Sequence, residues 1–192
     1  MRSRVRGILF DKDGTLLDFH ATWQPINARI IRMAAQGDAA LERRLADAGG
    51  IDPVTGRAMP DTLLAAAGTR EIAAGFIAAG ARFELEPLIV AIDAVFQAGA
   101  ETAVPVTPLK PLMERLKRRS LAIGIASSDS EAAVRVTARR FGIEEHVDFV
   151  AGYDSGHGTK PGPGMLHAFA RSTGLATRDI AVVGDNLHDM HM

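Results

Sequence analysis

The chain contains no cysteine among its 192 residues. It therefore has no disulfide, no thiol nucleophile and no thiolate metal site. It also has no apolar run near the ~20 residues that span a bilayer, and the apolar stretch 7–10 is too short for the core of a signal peptide. Because disulfides are rare in reducing compartments, these absences together lead us to expect a cytoplasmic protein.

An excess of charge of either sign is also missing. The formal net charge is -1, so neither nucleic acid nor an anionic membrane is expected as a partner. Hydrophobic residues make up 47% of the chain, which excludes a disordered protein. The length fits one domain, or one domain that carries an insert.

Strands and helices alternate in most of the chain outside 18–101. Four short apolar runs that end at polar or glycine-rich turns are predicted strands. Strands that alternate with helices of ordinary length predict an α/β fold, with a parallel sheet covered on both faces. The predicted strands are 5–10, 121–126, 147–151 and 180–183.

The segment 18–101 has a different character, because it is rich in alanine and shows helical periodicity. Ile26, Ile30 and Met33 lie at i, i+4 and i+7, on one face of a helix. A later helix is predicted to stop at Gly99, since glycine often follows the end of a helix. We therefore predict an all-helical domain, 18–101, inserted into a Rossmann-like core made of 1–17 and 102–192.

Polar residues cluster after each predicted strand. Ligands of open parallel sheets bind beyond the carboxyl ends of the strands, so these side chains should converge. The set comprises Asp11, Asp13, Gly14 and Thr15 after the first strand, Ser127 and Ser128 after the second, Lys160 in the loop after the third, and Asp185, Asn186 and Asp189 after the fourth.

Four motifs in this order resemble the haloacid dehalogenase-like hydrolase superfamily. Asp11 to Leu16 (DKDGTL) is similar to its signature, and Ser127 stands where that family has serine or threonine at a strand end. Lys160-Pro161 resembles the lysine motif, and the segment from Gly184 to Asp189 resembles the acidic motif. The helical insert between the first two motifs is similar to the cap of the phosphoglycolate phosphatase-like branch.

The resemblance implies a phosphatase that acts through an aspartyl phosphate on Asp11, with Asp13 as general acid and base. It assigns Mg²⁺ to the Asp11 and Asp185 carboxylates and to the backbone carbonyl of Asp13. The substrate would be a small phosphorylated metabolite, with phosphoglycolate as the default. In the family pattern the residues that bind phosphate are Gly14, Ser127, Ser128 and Lys160, although the family often has asparagine where Ser128 stands. Asn186 and Asp189 complete the acidic loop, and Asp189 could orient Lys160 or a metal-bound water.

Structural roles compete with these assignments. An Asp-Gly pair is often only a turn, and a lone lysine such as Lys160 is usually solvated. Ser128 and Glu131 have the spacing of a helix capping box. Asp185 and Asp189 could cap the last helix. His188 and His191 are expected to be exposed and without a metal.

The same fold could also support other reactions. Dehalogenation is disfavoured because a halide leaving group needs no proton donor such as Asp13. Phosphonate cleavage is disfavoured because the insert contains no lysine for a Schiff base. A sugar-phosphate mutase and a non-catalytic binding protein both stay open.

The insert and the end of the chain carry two further expectations. Several arginines of the insert could meet a second anionic group of the substrate, although isolated surface arginines are more often merely solvated. The chain stops at Met192, three residues past Asp189, whereas the family it resembles continues with at least one more strand and helix. We therefore expect this sequence to lack a C-terminal segment. The arginines in question are Arg29, Arg32, Arg57, Arg70 and Arg82.

Overall fold

The computed structural model describes residues 5–60 and 62–192 and divides into two compact units. One unit comprises Met1–Phe19 and Ala103–Met192, and the other comprises His20–Thr102. The limits predicted from the sequence, 17 and 102, lie within two residues of these. No helix in the described ranges is long and apolar enough to cross a membrane.

The first unit is built on a parallel four-stranded sheet. The strands are β1 (Gly7–Phe10), β2 (Ala122–Ala126), β3 (Phe149–Ala151) and β4 (Ile180–Val183), in the order β3-β2-β1-β4. In this register Leu9 stands beside Gly124 on one side and Val182 on the other. The predicted α/β architecture is confirmed. Strands β1, β2 and β3 begin two, one and two residues later than the apolar runs suggested.

Nine α-helices accompany these strands in the described ranges. Five belong wholly or mainly to the second unit, and four cover the sheet. They are α1 (Phe19–Ala35), α2 (Ala39–Gly49), α3 (Leu63–Ala66), α4 (Thr69–Ala78), α5 (Leu85–Ala100), α6 (Leu109–Lys117), α7 (Glu131–Arg140), α8 (Gly164–Thr173) and α9 (Leu187–Met190).

Both faces of the sheet are packed, as the alternation of side chains along a strand requires. Ile8 and Phe10 belong to the core formed with α6 and α7. Leu9 points to the opposite face and packs with Phe169 of α8. Gly124 allows this close contact, because a Cβ built there would lie 2.8 Å from Cδ1 of Leu9. The central strands β1 and β2 are therefore packed on both faces, whereas no residue of β4 is buried.

The second unit has its own hydrophobic core, and one prediction about it was wrong. Helix α5 continues through Gly99 to Ala100 rather than stopping at the glycine. A Cβ built on Gly99 would lie 2.4 Å from Cδ1 of Ile26. Gly99 therefore serves the close approach of α5 to α1, and the sequence alone does not distinguish this use of glycine from a helix stop.

The start of α7 also differs from the prediction. The N-cap is Ser130, whose Oγ accepts a hydrogen bond from the backbone N–H of Ala133 at 3.3 Å. The predicted capping box of Ser128 and Glu131 does not form, because Glu131 is already the first helical residue. Its carboxylate instead accepts a hydrogen bond from Ser155 Oγ at 2.7 Å, which ties α7 to the loop after β3.

Candidate active site

The loop after β1 is a compact turn that is folded on its own backbone. The carbonyl of Lys12 accepts hydrogen bonds from the N–H groups of Leu16 and Leu17 at 3.0 and 2.9 Å, and the Gly14 N–H donates to the Leu17 carbonyl at 2.8 Å. The Asp11 N–H donates to the Val183 carbonyl at the end of β4. These bonds hold Asp11 and Asp13 at the carboxyl edge of the sheet.

The Asp11 carboxylate is buried there, and only one of its two oxygens has a hydrogen-bond partner. Its Oδ1 accepts a hydrogen bond from Lys160 Nζ at 2.5 Å, whereas its Oδ2 is buried without a hydrogen-bond partner. Leaving such an oxygen unsatisfied costs about 1–3 kcal/mol. Burial raises the pKa of Asp11 from 3.8 to about 7, against the lowering effect of Lys160. A carboxylate held at this cost is typical of a functional group that awaits a ligand.

Lys160 lies between two buried carboxylates. Besides its bond to Asp11, its Nζ donates to Asp189 Oδ1 at 2.6 Å, and its side chain is 3% exposed. Lys160 is therefore not a solvated surface lysine, the role that a lone lysine usually has. The ammonium thus lies directly at the Asp11 carboxylate.

Asp189 combines two roles that the sequence left as alternatives. Its Oδ1 receives the hydrogen bond from Lys160, and its Oδ2 accepts one from the backbone N–H of Asn186 at 3.2 Å. Asn186 is the N-cap of α9, and its Oδ1 accepts from the N–H of His188 at 3.0 Å. Asp189 therefore orients Lys160 and caps α9 at the same time, whereas the Asn186 side chain serves the cap.

Asp185 comes to the same place from the loop after β4. Gly14 has φ +85°, and a Cβ built on it would lie 2.0 Å from Asp185 Oδ2. Partial burial raises the pKa of Asp185, and the nearby Asp189 and Asp13 carboxylates add to that effect. The loops after β1 and β4 thus meet at a point where only glycine fits.

The acidic side chains at this point have the chemistry of a magnesium site. One carboxylate oxygen each of Asp11, Asp185 and Asp189 lie within 4.8 Å of one another, and oxygen-only ligands suit a hard cation. Both oxygens of Asp189 already accept hydrogen bonds, which leaves Asp11 Oδ2 and the exposed Asp185 carboxylate to face a cation. The unpartnered Asp11 Oδ2 is the observation that fits a bound metal ion.

The two serines after β2, Ser127 and Ser128, differ in their exposure to solvent. Ser127 is 1% exposed, and its Oγ accepts a hydrogen bond from the Asp129 N–H at 3.1 Å, which leaves the hydroxyl proton for another acceptor. Ser128 is exposed. Thr15 also has a buried hydroxyl without a hydrogen-bond partner. Ser127 and Thr15 are thus the hydroxyls whose surroundings suit a bound anion.

Sequence reasoning missed Lys12, which lies between Asp11 and Asp13. Its ammonium contacts Asp13 Oδ2 at 2.6 Å and Asp129 Oδ2 at 3.4 Å, and its side chain is 5% exposed. Burial alone would lower the pKa of Lys12, but the carboxylates of Asp13 and Asp129 outweigh burial and raise this pKa above its usual range. A lysine two residues after a buried strand, flanked by two aspartates, was the signal that could have indicated this ion pair.

The arginines of the second unit that were considered from the sequence as substrate-binding residues are exposed. All five arginines lie on its surface, and two of them form ion pairs, Arg70 with Glu86 and Arg82 with Asp38. Trp23 packs edge-on against Phe96, with ring centroids 5.4 Å apart. Trp23 therefore packs against the hydrophobic core of the second unit. His188 and His191 are exposed, as expected.

Comparison with known proteins first identifies a family. A sequence model described as "Hydrolase: haloacid dehalogenase-like hydrolase" matches residues 5–192. Among curated proteins, the tyrosine-protein kinase PtkA of Mycobacterium tuberculosis is 34% identical over 82 residues, as is that of Mycobacterium bovis. That segment is 42% of this chain and only 28% of the kinase.

Solved structures show the same fold at low sequence identity. A candidate beta-phosphoglucomutase from Thermotoga maritima superposes with a TM-score of 0.71 at 16% identity, covering 97% of this chain and 79% of that one. A candidate phosphoglycolate phosphatase from Haemophilus somnus superposes with a TM-score of 0.68 at 18% identity, covering 100% and 81%. The likeness extends over both units of the chain.

Proposed function

This chain belongs to the haloacid dehalogenase-like hydrolase family, and we propose that it hydrolyses a small phosphate monoester through an aspartyl phosphate on Asp11. The observation that carries the proposal is the state of Asp11. One of its oxygens is held by Lys160, and the other is buried without a partner. A carboxylate poised in this way can attack phosphorus and split the hydrolysis into two easier steps.

In the first step an Asp11 carboxylate oxygen forms a bond to phosphorus while the ester P–O bond breaks. The leaving alkoxide takes a proton from the Asp13 carboxyl and departs as an alcohol. General acid catalysis of this kind contributes roughly 10²–10⁴-fold in rate. Lys160 is placed to bind the phosphoryl oxygens as well as Asp11, and Ser127 and Thr15 offer hydroxyl protons to them.

In the second step water attacks the phosphorus of the aspartyl phosphate. Asp13, now ionised, takes a proton from that water, and the bond between Asp11 and phosphorus breaks. Inorganic phosphate leaves, and both aspartates return to their starting states. The same residue thus serves first as acid and then as base, so that protons balance over the cycle.

The acidic loops suit Mg²⁺ as the metal ion of this reaction. The Asp11 and Asp185 carboxylates and the Asp13 backbone carbonyl would hold it, and it would supply positive charge that offsets the repulsion between Asp11 and a phosphate dianion. The pKa of Asp11 is raised to about 7. The positive charge of the metal ion would therefore also favour the ionised Asp11 carboxylate, which is the form that acts as nucleophile.

The substrate we propose is a small phosphorylated metabolite of the phosphoglycolate type. The proposal rests on the resemblance of the motifs and the helical insert to the phosphoglycolate phosphatase-like branch. The exposed arginines of the second unit, Arg29, Arg32 and Arg57 among them, are the cations available there for a substrate carboxylate or second phosphate.

A second function on the same chemistry is phosphoryl transfer to an acceptor other than water. A similar fold occurs in a candidate beta-phosphoglucomutase, and a partial match is a tyrosine-protein kinase. Both names describe phosphoryl transfer. The first half-reaction at Asp11 would be unchanged, and the acceptor would differ.

The test is release of p-nitrophenol from p-nitrophenyl phosphate by the wild-type protein with Mg²⁺, beside an EDTA control and Asp11→Asn. Asn is nearly isosteric with Asp but a far poorer nucleophile. Metal-dependent activity that is lost in Asp11→Asn supports the proposal. A folded wild-type protein without activity overturns it. Activity that appears only when a sugar phosphate is added as acceptor favours phosphoryl transfer.

A further inference from the structure

Lys12 is a buried cation that the catalytic scheme above does not use. Its side chain is 5% exposed, and its ammonium lies 2.6 Å from Asp13 Oδ2 and 3.4 Å from Asp129 Oδ2. Burying an ammonium is costly unless opposite charges compensate it. The fold therefore accepts a large desolvation cost to place a positive charge against the carboxyl that serves as acid and base.

Asp129 gives this ion pair a firm anchor. Its backbone N–H donates to Ser127 Oγ, its Oδ1 accepts from the Ser130 N–H at 2.8 Å, and its carbonyl accepts from the Tyr153 N–H at 3.0 Å. Three separate bonds thus fix the aspartate in the loop after β2. Lys12 reaches across to it from the loop after β1 and joins the two loops.

The backbone of Lys12 is equally constrained. Its carbonyl accepts two hydrogen bonds from the turn, from Leu16 and Leu17. With the backbone held at one end and Asp129 at the other, the ammonium has little freedom. Its short contact to Asp13 consequently restricts where the Asp13 carboxyl can lie.

We propose that Lys12 is a positioning residue that acts on proton transfer by holding the Asp13 carboxyl in place. Asp129 in turn holds the ammonium group of Lys12. The inference rests on the proposed hydrolase function and assigns Lys12 no contact with substrate. An acid must lie within hydrogen-bond reach of the oxygen that it protonates, and a displacement of about 1 Å can cost on the order of 10²-fold in rate. The alternative is that Lys12 only neutralises buried charge and supports the fold.

Leaving-group dependence distinguishes these two roles. The p-nitrophenolate ion leaves readily without a proton, whereas the phenolate ion of phenyl phosphate depends more on protonation. The ratio kcat/KM reports the steps up to formation of the aspartyl phosphate. A loss of acid positioning must therefore lower kcat/KM more for phenyl phosphate than for p-nitrophenyl phosphate, while a general loss of structure lowers both equally.

The experiment measures kcat/KM for both esters with Mg²⁺ in the wild-type protein and in Lys12→Met. We expect the fall for phenyl phosphate to exceed that for p-nitrophenyl phosphate by about tenfold or more. Lys117→Met is the matched control, because Lys117 is paired to Asp148 at 2.5 Å but lies before β2, at the opposite end of the strand from Ser127. It should leave the ratio between the two esters unchanged.

A double-mutant cycle shows whether Lys12 acts through Asp13. In the Asp13→Asn background, Lys12→Met should lower kcat/KM for phenyl phosphate by less than about threefold, because the carboxyl that it positions is already gone. An equal fall for both esters, or a full effect of Lys12→Met without Asp13, overturns the inference.

Asp129→Asn keeps the proposal testable if Lys12→Met does not fold. Asparagine can still accept the hydrogen bond from the Ser130 N–H, so the change removes only the negative charge that holds the Lys12 ammonium group. We expect a smaller but selective fall for phenyl phosphate, and an unchanged ratio overturns the inference. A wild-type protein inactive on both esters instead refutes the hydrolase function itself. An active wild type with unselective variants refutes only the role of Lys12.

Discussion

Gly14 lies directly against the carboxylate of Asp185, so closely that a Cβ on Gly14 would be 2.0 Å from Asp185 Oδ2 and 2.4 Å from Cγ. The contact joins the loops after β1 and β4, which are far apart in sequence. It also places an acidic oxygen next to the turn that carries Asp11 and Asp13. Small changes at this contact should therefore alter the proposed metal site more than they alter the fold.

Gly14→Ala should abolish metal-dependent activity, because the new methyl group displaces Asp185 from its position. The positive φ of Gly14 adds a backbone cost of about 1–2 kcal/mol. Gly174→Ala is the matched control, since Gly174 has φ +67° but nothing within 4 Å of a built Cβ. It should show a similar backbone cost with normal activity. Equal activity of Gly14→Ala and Gly174→Ala would contradict the prediction; Mg²⁺ titration and thermal melting are the measurements.

Ser127→Ala and Ser128→Ala should differ although the two residues are adjacent. Ser127 is buried and is the proposed phosphate ligand, whereas Ser128 is exposed. Removing one preorganised donor to a developing charge costs about 10²–10³-fold in kcat. We expect a loss toward that range for Ser127→Ala and little change for Ser128→Ala in steady-state kinetics. Similar losses in both variants would show that the burial difference does not decide phosphate binding.

Lys160→Met should be harmful both to activity and to stability. It leaves the buried carboxylates of Asp11 and Asp189 without their shared cation, and loss of one partner of a buried pair typically costs about 3–5 kcal/mol. Lys110→Met is the control, since Lys110 pairs with Glu145 at an exposed position, where such pairs contribute at most about 1 kcal/mol. Urea unfolding and the phosphatase assay measure the two effects. A Lys160→Met protein as stable and active as Lys110→Met would refute this assignment.

The stability of the metal-free protein should depend on pH through Asp11. Its pKa is about 7 in the folded protein and near 3.8 when exposed. Between about pH 4 and pH 7 the folded state therefore binds more protons than the unfolded state, so the free energy of unfolding falls as pH rises and levels off above that range. Asp11→Asn lacks this titration.

The measurement is urea unfolding of the wild-type protein and Asp11→Asn in EDTA over this range. The wild type should lose stability relative to Asp11→Asn as pH rises toward neutrality. Added Mg²⁺ should stabilise the wild type increasingly with pH, because cation binding favours the ionised carboxylate. A stability difference between the two proteins that does not change with pH would contradict the shifted pKa.

Much of the core architecture could be read from local patterns. The apolar runs ending at Asp11 and Ser127 predicted parallel strands whose polar ends converge, and the structure has those strands. Helix ends were less predictable, as Gly99 shows. Glycine can stop a helix or admit a close neighbour, and only the position of Ile26 in space decides which.

The sequence by itself determined which loops carry polar groups to the carboxyl edge of the sheet, because the positions of the strands and of the turns after them follow from hydrophobic periodicity and turn residues. The tertiary structure alone decided how those groups interact. Burial raises the pKa of Asp11, Asp189 shares Lys160 with it, and Lys12 turns inward to Asp13 and Asp129. The physical reason is that solvation and the distances between charges depend on residues brought together from distant parts of the chain, which no local pattern encodes.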